Sequence, residues 1–281
     1  MKKFIDKNYI LDNLDKVIDK NDEIIIFYSG IWSFINYLNF DKEKIAKNLL
    51  NIIEEFVGNK RTIIFPSFTA NSFVKNKIFD LDLSLPKESG IIPKEALLSK
   101  NYIRTKQPLH SYLAWGAKAN EFNDLSLNTS WGKGSVLEWL SINNARICTI
   151  GIPWRYGCSY FHRFEELYEV PWRYFKKFEG KLFRDKIFLN NVAENKYSSP
   201  LGIDFLYDYS PVEELMKKNS IIKKGTNKLF SIQSALISDI DLICKSFFEN
   251  NPWKIVKEVE KVKNWIKEEK HKEILNLNKF D

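Results

Sequence analysis

The chain has 281 residues, of which 44% are hydrophobic and 15% aromatic, and its formal net charge is +7. This composition supports a sizeable core and excludes a disordered chain. The apolar runs are too short to span a bilayer. The lysines are interspersed with acidic residues. We therefore expect no nucleic-acid partner, while an anionic small molecule would suit the basic balance.

The chain carries three cysteines, Cys148, Cys158 and Cys244, which are odd in number and widely spaced. This pattern indicates reduced thiols in the cytoplasm. No cysteine and histidine cluster has zinc spacing, so we expect no metal site. The first residues turn acidic before any apolar run develops, which argues against a signal peptide.

The N-terminal third predicts alternating helices and strands. Helical spacing of apolar residues predicts a helix over 8–20, and a buried strand follows over 23–28. A second helix is predicted over 41–56, with Asp41 as its N-cap, and a second strand over 62–65. Two buried strands joined by a helix are typical of a parallel βαβ unit.

The middle of the chain contains a long stretch without periodicity, 70–108, which prolines interrupt. Such stretches inside a compact domain are usually functional. A strand is predicted over 110–115. A turn with Gly132 and Gly134 then leads to a helix over 136–140, for which Ser135 is the expected N-cap.

The next strand, 145–150, leads through a loop into a helix that contains His162. This order places His162 at the carboxyl end of a sheet strand, where open α/β sheets bind ligands. A later strand is predicted over 186–189, and a lysine-rich helix from Asn251. Without a repeat or a linker, we expect a single domain over 1–281 with a helical extension from about 251.

His162 lies in the most informative segment of the sequence. Helical spacing places Cys158 at i−4, Glu165 at i+3 and Glu166 at i+4 from His162, all on one face. Imidazole titrates at about pH 6.5, and a nearby carboxylate can hold its tautomer and raise its basicity. The alternative is an amphipathic helix with a buried, hydrogen-bonded histidine.

Six short segments resemble, in order, the motifs of one family. They are Phe27–Phe34 (V-H-S-S-L-S-S-F in the family), Gly90–Glu95 (M-G-A-L-P-E), Arg104–Gly116 (R-S-x-H-P-x-x-S-F-A-A-x-G), Trp131–Ser135 (F-G-x-G-S), Cys158–Glu166 (C-T-A-L-H-Y-A-E-E) and Val170–Arg173 (V-P-Y-R). The family is that of the aminoglycoside 3-N-acetyltransferases. The chain departs from its motifs at Tyr28 and Gln107, where the family has histidine, and at Gly30, where it has serine.

The resemblance implies an α/β/α sandwich with a largely parallel central sheet. It also implies transfer of the acetyl group of acetyl-CoA to a primary amine on a sugar ring. The family's catalytic histidine falls on His162. Its acidic partner falls at the end of the next strand, where Glu194 is the nearest match and Asp208 a competitor.

Contacts with acetyl-CoA are expected from the first motif, the third motif and the glycine turn. The residues are Ser29, Gly30, Ile31, Trp32, Ser111, Gly134 and Ser135. Glycines allow the backbone to approach the ligand, and the helix that begins after Ser135 offers free N–H groups to phosphate. Ser111 and the Ser29-Gly30 turn could donate to an oxyanion. The alternative for Gly134 is an ordinary tight turn.

The aromatic and basic residues around His162 suggest the acceptor. Aromatic faces suit a sugar ring or a base, and arginines such as Arg155 and Arg163 suit phosphate. We therefore expect a nucleotide-linked amino sugar of surface-glycan synthesis, contacted by residues near His162. The expected contacts are Arg155, Tyr160, Glu165 and Glu166.

Three alternatives to this function stay open. The protein could acetylate aminoglycoside antibiotics, it could use Cys158 as an acyl-carrying nucleophile, or it could be a degenerate, non-catalytic homologue that binds glycans or proteins. The sequence also leaves a homo-oligomer open.

Overall fold

A computed structural model of the chain describes residues 4–199, 203–204, 206–226 and 231–268. The α-helices are α1 (Lys7–Val17), α2 (Ile45–Val57), α3 (Ala70–Asn76), α4 (Ile91–Leu98), α5 (Glu121–Asp124), α6 (Val136–Ile142), α7 (Trp154–Gly157), α8 (Phe161–Leu167), α9 (Ser210–Lys218), α10 (Ile237–Asn250) and α11 (Val259–Lys267). The strands are β1 (Ile24–Ser29), β2 (Thr62–Phe68), β3 (Ile78–Asp80), β4 (Ile103–Arg104), β5 (His110–Gly116), β6 (Arg146–Ile150), β7 (Tyr174–Arg184), β8 (Ile187–Ser198), β9 (Lys223–Lys224) and β10 (Ile232–Leu236).

A seven-stranded sheet, in the order β4-β5-β2-β1-β6-β10-β9, forms the centre of the fold. Its three central strands are parallel: Ile25 of β1 pairs with Ile63 of β2 on one side and with Arg146 of β6 on the other. The outer strands pair antiparallel. The predicted βαβ unit is therefore confirmed as β1-α2-β2, and parallel pairing is restricted to the centre of the sheet.

Helices cover both faces of this sheet. Along β1, Ile24, Ile26 and Tyr28 pack into one cluster together with apolar residues of α6, α8, α9 and α10. Ile25 and Phe27 pack on the opposite face, against residues of α1, α2 and α4. A strand buried on both faces reads as a continuous apolar run, which is what the sequence of β1 shows. The predicted α/β/α sandwich is confirmed.

A second, three-stranded sheet in the order β3-β7-β8 lies outside this sandwich. The strand predicted over 186–189 is only the start of β8, which has 12 residues and pairs with β7 along almost its whole length. The sequence analysis missed β7. This hairpin matters for function because its second strand carries Glu194 and Lys196.

Two other predictions about elements were wrong. The stretch 70–108 contains α3, β3, α4 and β4. The lysine-rich segment from Asn251 is not one long helix, because Pro252 starts a short 3-10 helix that ends at Ile255 before α11 begins. The remainder of that predicted extension, 269–281, lies outside the described residues. In the part of the chain that the structure describes, no helix has the length and hydropathy to cross a membrane.

One edge of the large sheet collects the residues that concern function. β1, β2 and β6 end there, since parallel strands end at the same edge. β5 is antiparallel to β2 and begins there, so that His110 pairs with Phe68. β6 leads from this edge into α7 and α8, as predicted for His162.

Candidate active site

His162 lies in the first turn of α8, and its closest polar neighbour is Glu165, one turn later. The distance between His162 Nδ1 and Glu165 Oε2 is 2.5 Å. The hydroxyl of Tyr209 lies 3.0 Å from the same nitrogen and donates to Glu165 Oε2 at 2.7 Å. Glu165 is fully buried, whereas the His162 side chain is 29% exposed. In the structure Glu165 is therefore the carboxylate partner of His162, whereas the sequence had predicted that Glu165 contacts the substrate.

Arg173 neutralises the buried carboxylate. Its Nε lies 2.9 Å from Glu165 Oε1. Burial alone would raise the pKa of Glu165, but the charge of Arg173 and the hydrogen bond with His162 outweigh it and lower the pKa to about 2. Because an ionised carboxylate only accepts hydrogen bonds, Nδ1 of His162 must carry the proton. This leaves Nε2 as the basic atom.

His162 is neutral near pH 7. Burial lowers the pKa of His162 from its ordinary value of 6.5, and the opposing contribution of Glu165 does not fully compensate. A neutral imidazole with a fixed tautomer and a free Nε2 can accept a proton from a nucleophile. The arrangement has the chemistry of a general base.

His162 faces a small cavity of about 210 Å³. Its walls are formed by Phe68, His110, Trp131, Ser159, His162, Arg173, Lys196 and Ser199. Among the described residues that line it there are two basic side chains, Arg173 and Lys196, and no carboxylate. Burial lowers the pKa of Lys196, and the charge of Arg173 lowers it further. These two side chains form a basic wall, called the cationic wall below, in which Arg173 is already paired with Glu165.

A larger channel of about 490 Å³ adjoins this cavity. Phe68 lines both spaces, and Tyr28, which lines the channel, has its hydroxyl 2.9 Å from Ser159 Oγ in the cavity. Four residues expected at acetyl-CoA line the channel together: Ser29, Gly30, Ile31 and Trp32. Because the two spaces share Phe68 and meet at Tyr28 and Ser159, a ligand arm in the channel could end near His162.

Other residues of the channel wall had no predicted contact with acetyl-CoA, although Gly90 and Lys94 lie in one of the six motifs. Lys87 and Lys94 line the channel, as does the N-terminal end of α4 at Gly90 and Ile91. Gly90 has a φ of +92°, a backbone conformation that glycine adopts without strain. Lysines and a helix N-terminus suit the phosphates of CoA. These residues fall in the stretch of sequence that looked irregular.

The oxyanion role expected of Ser111 and of the Ser29-Gly30 turn is not supported. Ser111 is fully buried; its hydroxyl donates to the Ser67 carbonyl at 2.6 Å and accepts from Arg104 Nε at 3.0 Å. The backbone N–H of Gly30 donates to the Ile150 carbonyl at 2.9 Å. These donors are already used within the fold, so Ser111 acts as a structural residue.

Gly134 and Ser135, which were expected to contact acetyl-CoA, do not line the channel, and both make contacts that stabilise the start of α6. Ser135 is the N-cap of α6, as predicted, and its Oγ accepts from Glu138 N at 3.2 Å. The Glu138 carboxylate reaches back to the Gly134 N–H at 2.7 Å. This reciprocal pair resembles a capping box, except that the glutamate binds the N–H of the residue before the N-cap. Glu138 thus already satisfies the N–H of Gly134.

Tyr160 and Arg155 were expected to contact substrate, and the structure places both elsewhere. Tyr160 is fully buried in the core and donates to Asp241 at 2.6 Å. Arg155 lies 3.6 Å from Glu213 and stacks over the ring of Tyr156. Neither residue lines the cavity around His162.

Glu166 supports a loop instead of contacting substrate. It is buried and accepts a hydrogen bond from Thr129 Oγ1 at 2.7 Å. A Cβ atom on Gly132 would collide with the Glu166 carboxylate, so the loop approaches it closely. Arg163 donates to the Gly132 carbonyl at 3.3 Å. Together these contacts hold Trp131 at the cavity wall.

Glu194 was expected to pair with His162, but the structure pairs it with His110. Glu194 Oε1 lies 3.3 Å from His110 Nδ1 and accepts from Ser130 Oγ at 2.6 Å. The competitor Asp208 accepts from Ser210 N at 2.9 Å and pairs with Lys257. Neither acid is therefore the partner of His162, and the partner in the structure, Glu165, is the neighbour at i+3 whose helical spacing the sequence already showed.

Cys158 precedes α8 and is buried. Burial raises the pKa of its thiol to about 12, although N–H groups of the following backbone oppose this. A thiol with this pKa is a poor nucleophile near pH 7. The acyl-carrying role considered for Cys158 is therefore disfavoured.

The sequence profile of the aminoglycoside 3-N-acetyltransferase family matches residues 38–236 of the chain. The chain belongs to this family. It is thus an acetyl-CoA-dependent N-acetyltransferase by family, as the six motifs predicted. No curated protein matches the chain in sequence.

Solved structures share the fold at low sequence identity. Aminoglycoside acetyltransferase AAC(3)-IIb superposes with a TM-score of 0.71 at 14% identity, over 89% of this chain and 98% of that one. AAC-IIIb in a binary complex with CoASH gives 0.70 at 16% identity, over 88% and 97%. The YokD protein of Bacillus subtilis gives 0.70 at 16% identity, over 89% and 96%.

Proposed function

We propose that the protein transfers the acetyl group of acetyl-CoA directly to the primary amine of an amino sugar, with His162 as the general base. The observation that carries this proposal is the position of the His162–Glu165 pair, at the wall of a cavity that adjoins the long channel. The amine would occupy the cavity, and the CoA arm would occupy the channel.

Acetyl-CoA supplies an acyl carbon that an amine can attack, with the CoA thiol as leaving group. The amine must lose a proton as its nitrogen bonds to that carbon, and His162 Nε2 takes this proton. The imidazolium that results is stabilised by Glu165, whose carboxylate stays ionised. Tyr209 and Arg173 hold the carboxylate in position. The proton on His162 is then available to the departing thiolate.

We propose further that the acceptor is an amino sugar linked to a nucleotide, as in surface-glycan synthesis. A polycationic acceptor needs carboxylates, and the described wall of the cavity has Arg173 and Lys196 instead. Like charges close together in a partly buried site are costly, whereas a phosphate there would be favoured. Phe68 and Trp131 offer aromatic faces for a sugar ring or a base.

An aminoglycoside is the second candidate acceptor. The name of the matching family supports it, and one solved structure of the same fold is described as AAC-VIa bound to sisomicin. The two candidate acceptors differ in charge, so a panel that contains both kinds of substrate distinguishes them.

The test measures CoA release with a thiol reagent, from acetyl-CoA and a panel of amino-sugar nucleotides, gentamicin and kanamycin. We expect turnover with a nucleotide-linked amino sugar and its loss in His162→Ala. Good turnover with the antibiotics alone would overturn the acceptor assignment. Binding of acetyl-CoA without turnover of any acceptor would favour a degenerate binding protein.

A further inference from the structure

A second histidine faces the acceptor cavity. His110 begins β5 and lines the same cavity as His162. The indole of Trp131 packs against both rings, with centroid distances of 4.1 Å to His110 and 5.2 Å to His162. A molecule bound in a cavity of about 210 Å³ would therefore meet both imidazoles.

The protein holds His110 in one tautomer. Ser130 Oγ donates to Glu194 and lies 3.0 Å from His110 Nδ1, so it can accept from that nitrogen. Glu194 Oε1 is a second acceptor at 3.3 Å. Glu194 is only 1% exposed and also accepts from the backbone N–H of Leu109 at 2.7 Å. With two acceptors facing Nδ1, the proton of the neutral ring lies on Nδ1 and the lone pair on Nε2.

Nε2 of His110 is available to a ligand. Within the described residues, the hydrogen bonds of His110 use only its Nδ1 and backbone atoms. Burial lowers the pKa of His110 to about 4, against the opposing effect of Glu194. His110 is thus too weak a base for the role proposed for His162. Its neutral ring nevertheless accepts hydrogen bonds throughout the neutral pH range.

We infer that His110 Nε2 accepts a hydrogen bond from a hydroxyl group of the acceptor, beside the amine held at His162. A hydroxyl is favoured over a second ammonium group because Lys196 and Arg173 face the same cavity. The inference rests on the proposed function. It narrows the substrate class to amino sugars with a free hydroxyl next to the reacting amine, and it assigns His110, positioned by Glu194, as a specificity-determining residue.

An acceptor that lacks the hydroxyl tests the proposed hydrogen bond to His110. Two probes are compared: the UDP conjugate of 2-amino-2-deoxyglucose, which has a hydroxyl next to the amine, and its 3-deoxy counterpart. Leaving a buried acceptor atom unpaired costs enough for a preference of about tenfold or more. We expect the wild type to show this preference in kcat/KM. In His110→Ala the kcat/KM of the hydroxylated probe should fall and that of the deoxy probe should stay the same, so that the preference is lost. His110→Gln should restore part of the preference. An equal fall of both probes in His110→Ala would overturn the inference.

A binding measurement keeps the inference separate from the proposed function. In ¹⁵N NMR spectra of the imidazoles, we expect the Nε2 signal of His110 to move on addition of the hydroxylated probe and not of the deoxy probe. The signal of His162 should move with both. No movement of His110 with either probe, or equal movement with both, would refute the hydroxyl contact whether or not turnover occurs. Turnover that survives in His162→Ala would instead refute the proposed function.

Discussion

Glu165→Gln is the substitution that tests the assignment of the active site most directly. The side chain keeps its size but loses the charge that Arg173 faces at 2.9 Å. An amide oxygen also cannot satisfy His162, Tyr209 and Arg173 at once, because one of its two terminal atoms is now a donor. The orientation and tautomer of His162 are then no longer fixed. We expect kcat to fall by a factor on the order of 10² or more, the usual contribution of a positioned general base.

The same substitution should destabilise the fold. Removing one partner of a buried ion pair typically costs about 3–5 kcal/mol. Arg173 keeps its contacts with the Tyr197 carbonyl at 3.3 Å and with Ser199 at 3.2 Å, so we expect the lower end, about 3 kcal/mol. Urea unfolding followed by circular dichroism gives this value, and the kinetics are measured at a temperature where the variant is folded.

Glu194→Gln is the matched control. Both glutamates are buried, and each contacts a histidine of the cavity. Because Glu194 holds His110, its loss should raise the KM for the acceptor and leave kcat close to that of the wild type. If Glu194→Gln lost kcat as fully as we expect for Glu165→Gln, and Glu165→Gln did not, the reasoning would be wrong. The partner of His162 would then be the one that the sequence resemblance indicated.

Four further outcomes follow from the site. Because the pKa of His162 lies below 6.5 and the neutral form is the base, kcat should fall with acidification only below that pH, whereas kcat/KM also falls where the free acceptor amine becomes protonated; a limb above pH 7 in the pH profile of kcat would contradict the assignment of His162. Cys158→Ser should keep its turnover in the CoA-release assay, and loss of turnover would revive an acyl-enzyme. Lys196→Met should raise the KM for a nucleotide-linked acceptor roughly tenfold and leave that for acetyl-CoA unchanged, whereas equal changes in both would argue against the cationic subsite. Tyr209→Phe should cost about 1 kcal/mol of unfolding free energy through its lost bond to Glu165, and an unchanged urea midpoint would argue against that bond.

Four strands of the central sheet, β1, β2, β5 and β6, were predictable because their signals are local, whereas β4, β9 and β10 were not predicted. β1 reads as an uninterrupted apolar run, since both of its faces are buried. Ser135 was recognisable as an N-cap because the capping residue and its helix are adjacent in sequence. His162 could be placed at the sheet edge from the order strand, loop, helix alone. None of these inferences required knowledge of contacts between distant segments.

Only the start of β8 was predicted, and β7 was missed although its residues alternate between partly buried and exposed. Most of β8 up to Ala193 is exposed, so it shows no alternation of buried and exposed residues. The hairpin turns at Asp185 and Lys186, which both have positive φ values, 48° and 68°. Asparagine and glycine are the residues that usually mark such turns. The sequence therefore carried a weak turn signal at the connection that positions Glu194.

The cationic wall could not be predicted from the sequence, because it depends on contacts between distant segments. Arg173 closes a motif that was noticed, but its contact with Glu165 is made across two elements. Lys196 is one of many lysines in the sequence, and only the pairing of β8 with β7 places it at the cavity. Composition alone suggested Arg155 and Arg163, which are nearer to His162 in sequence but contact other groups.

The positions of the carboxylates explain how one cavity can serve both catalysis and acceptor choice. Glu165 and Glu194 each lie behind an imidazole, on the side away from the ligand. Their charges fix the tautomers, while the described lining of the cavity consists of the two imidazoles, two basic side chains, two serines and aromatic rings. Such a wall accepts hydrogen bonds from a neutral amine and a hydroxyl, and it disfavours the ammonium form. An acceptor that enters as the free amine has already lost the proton that would block its attack.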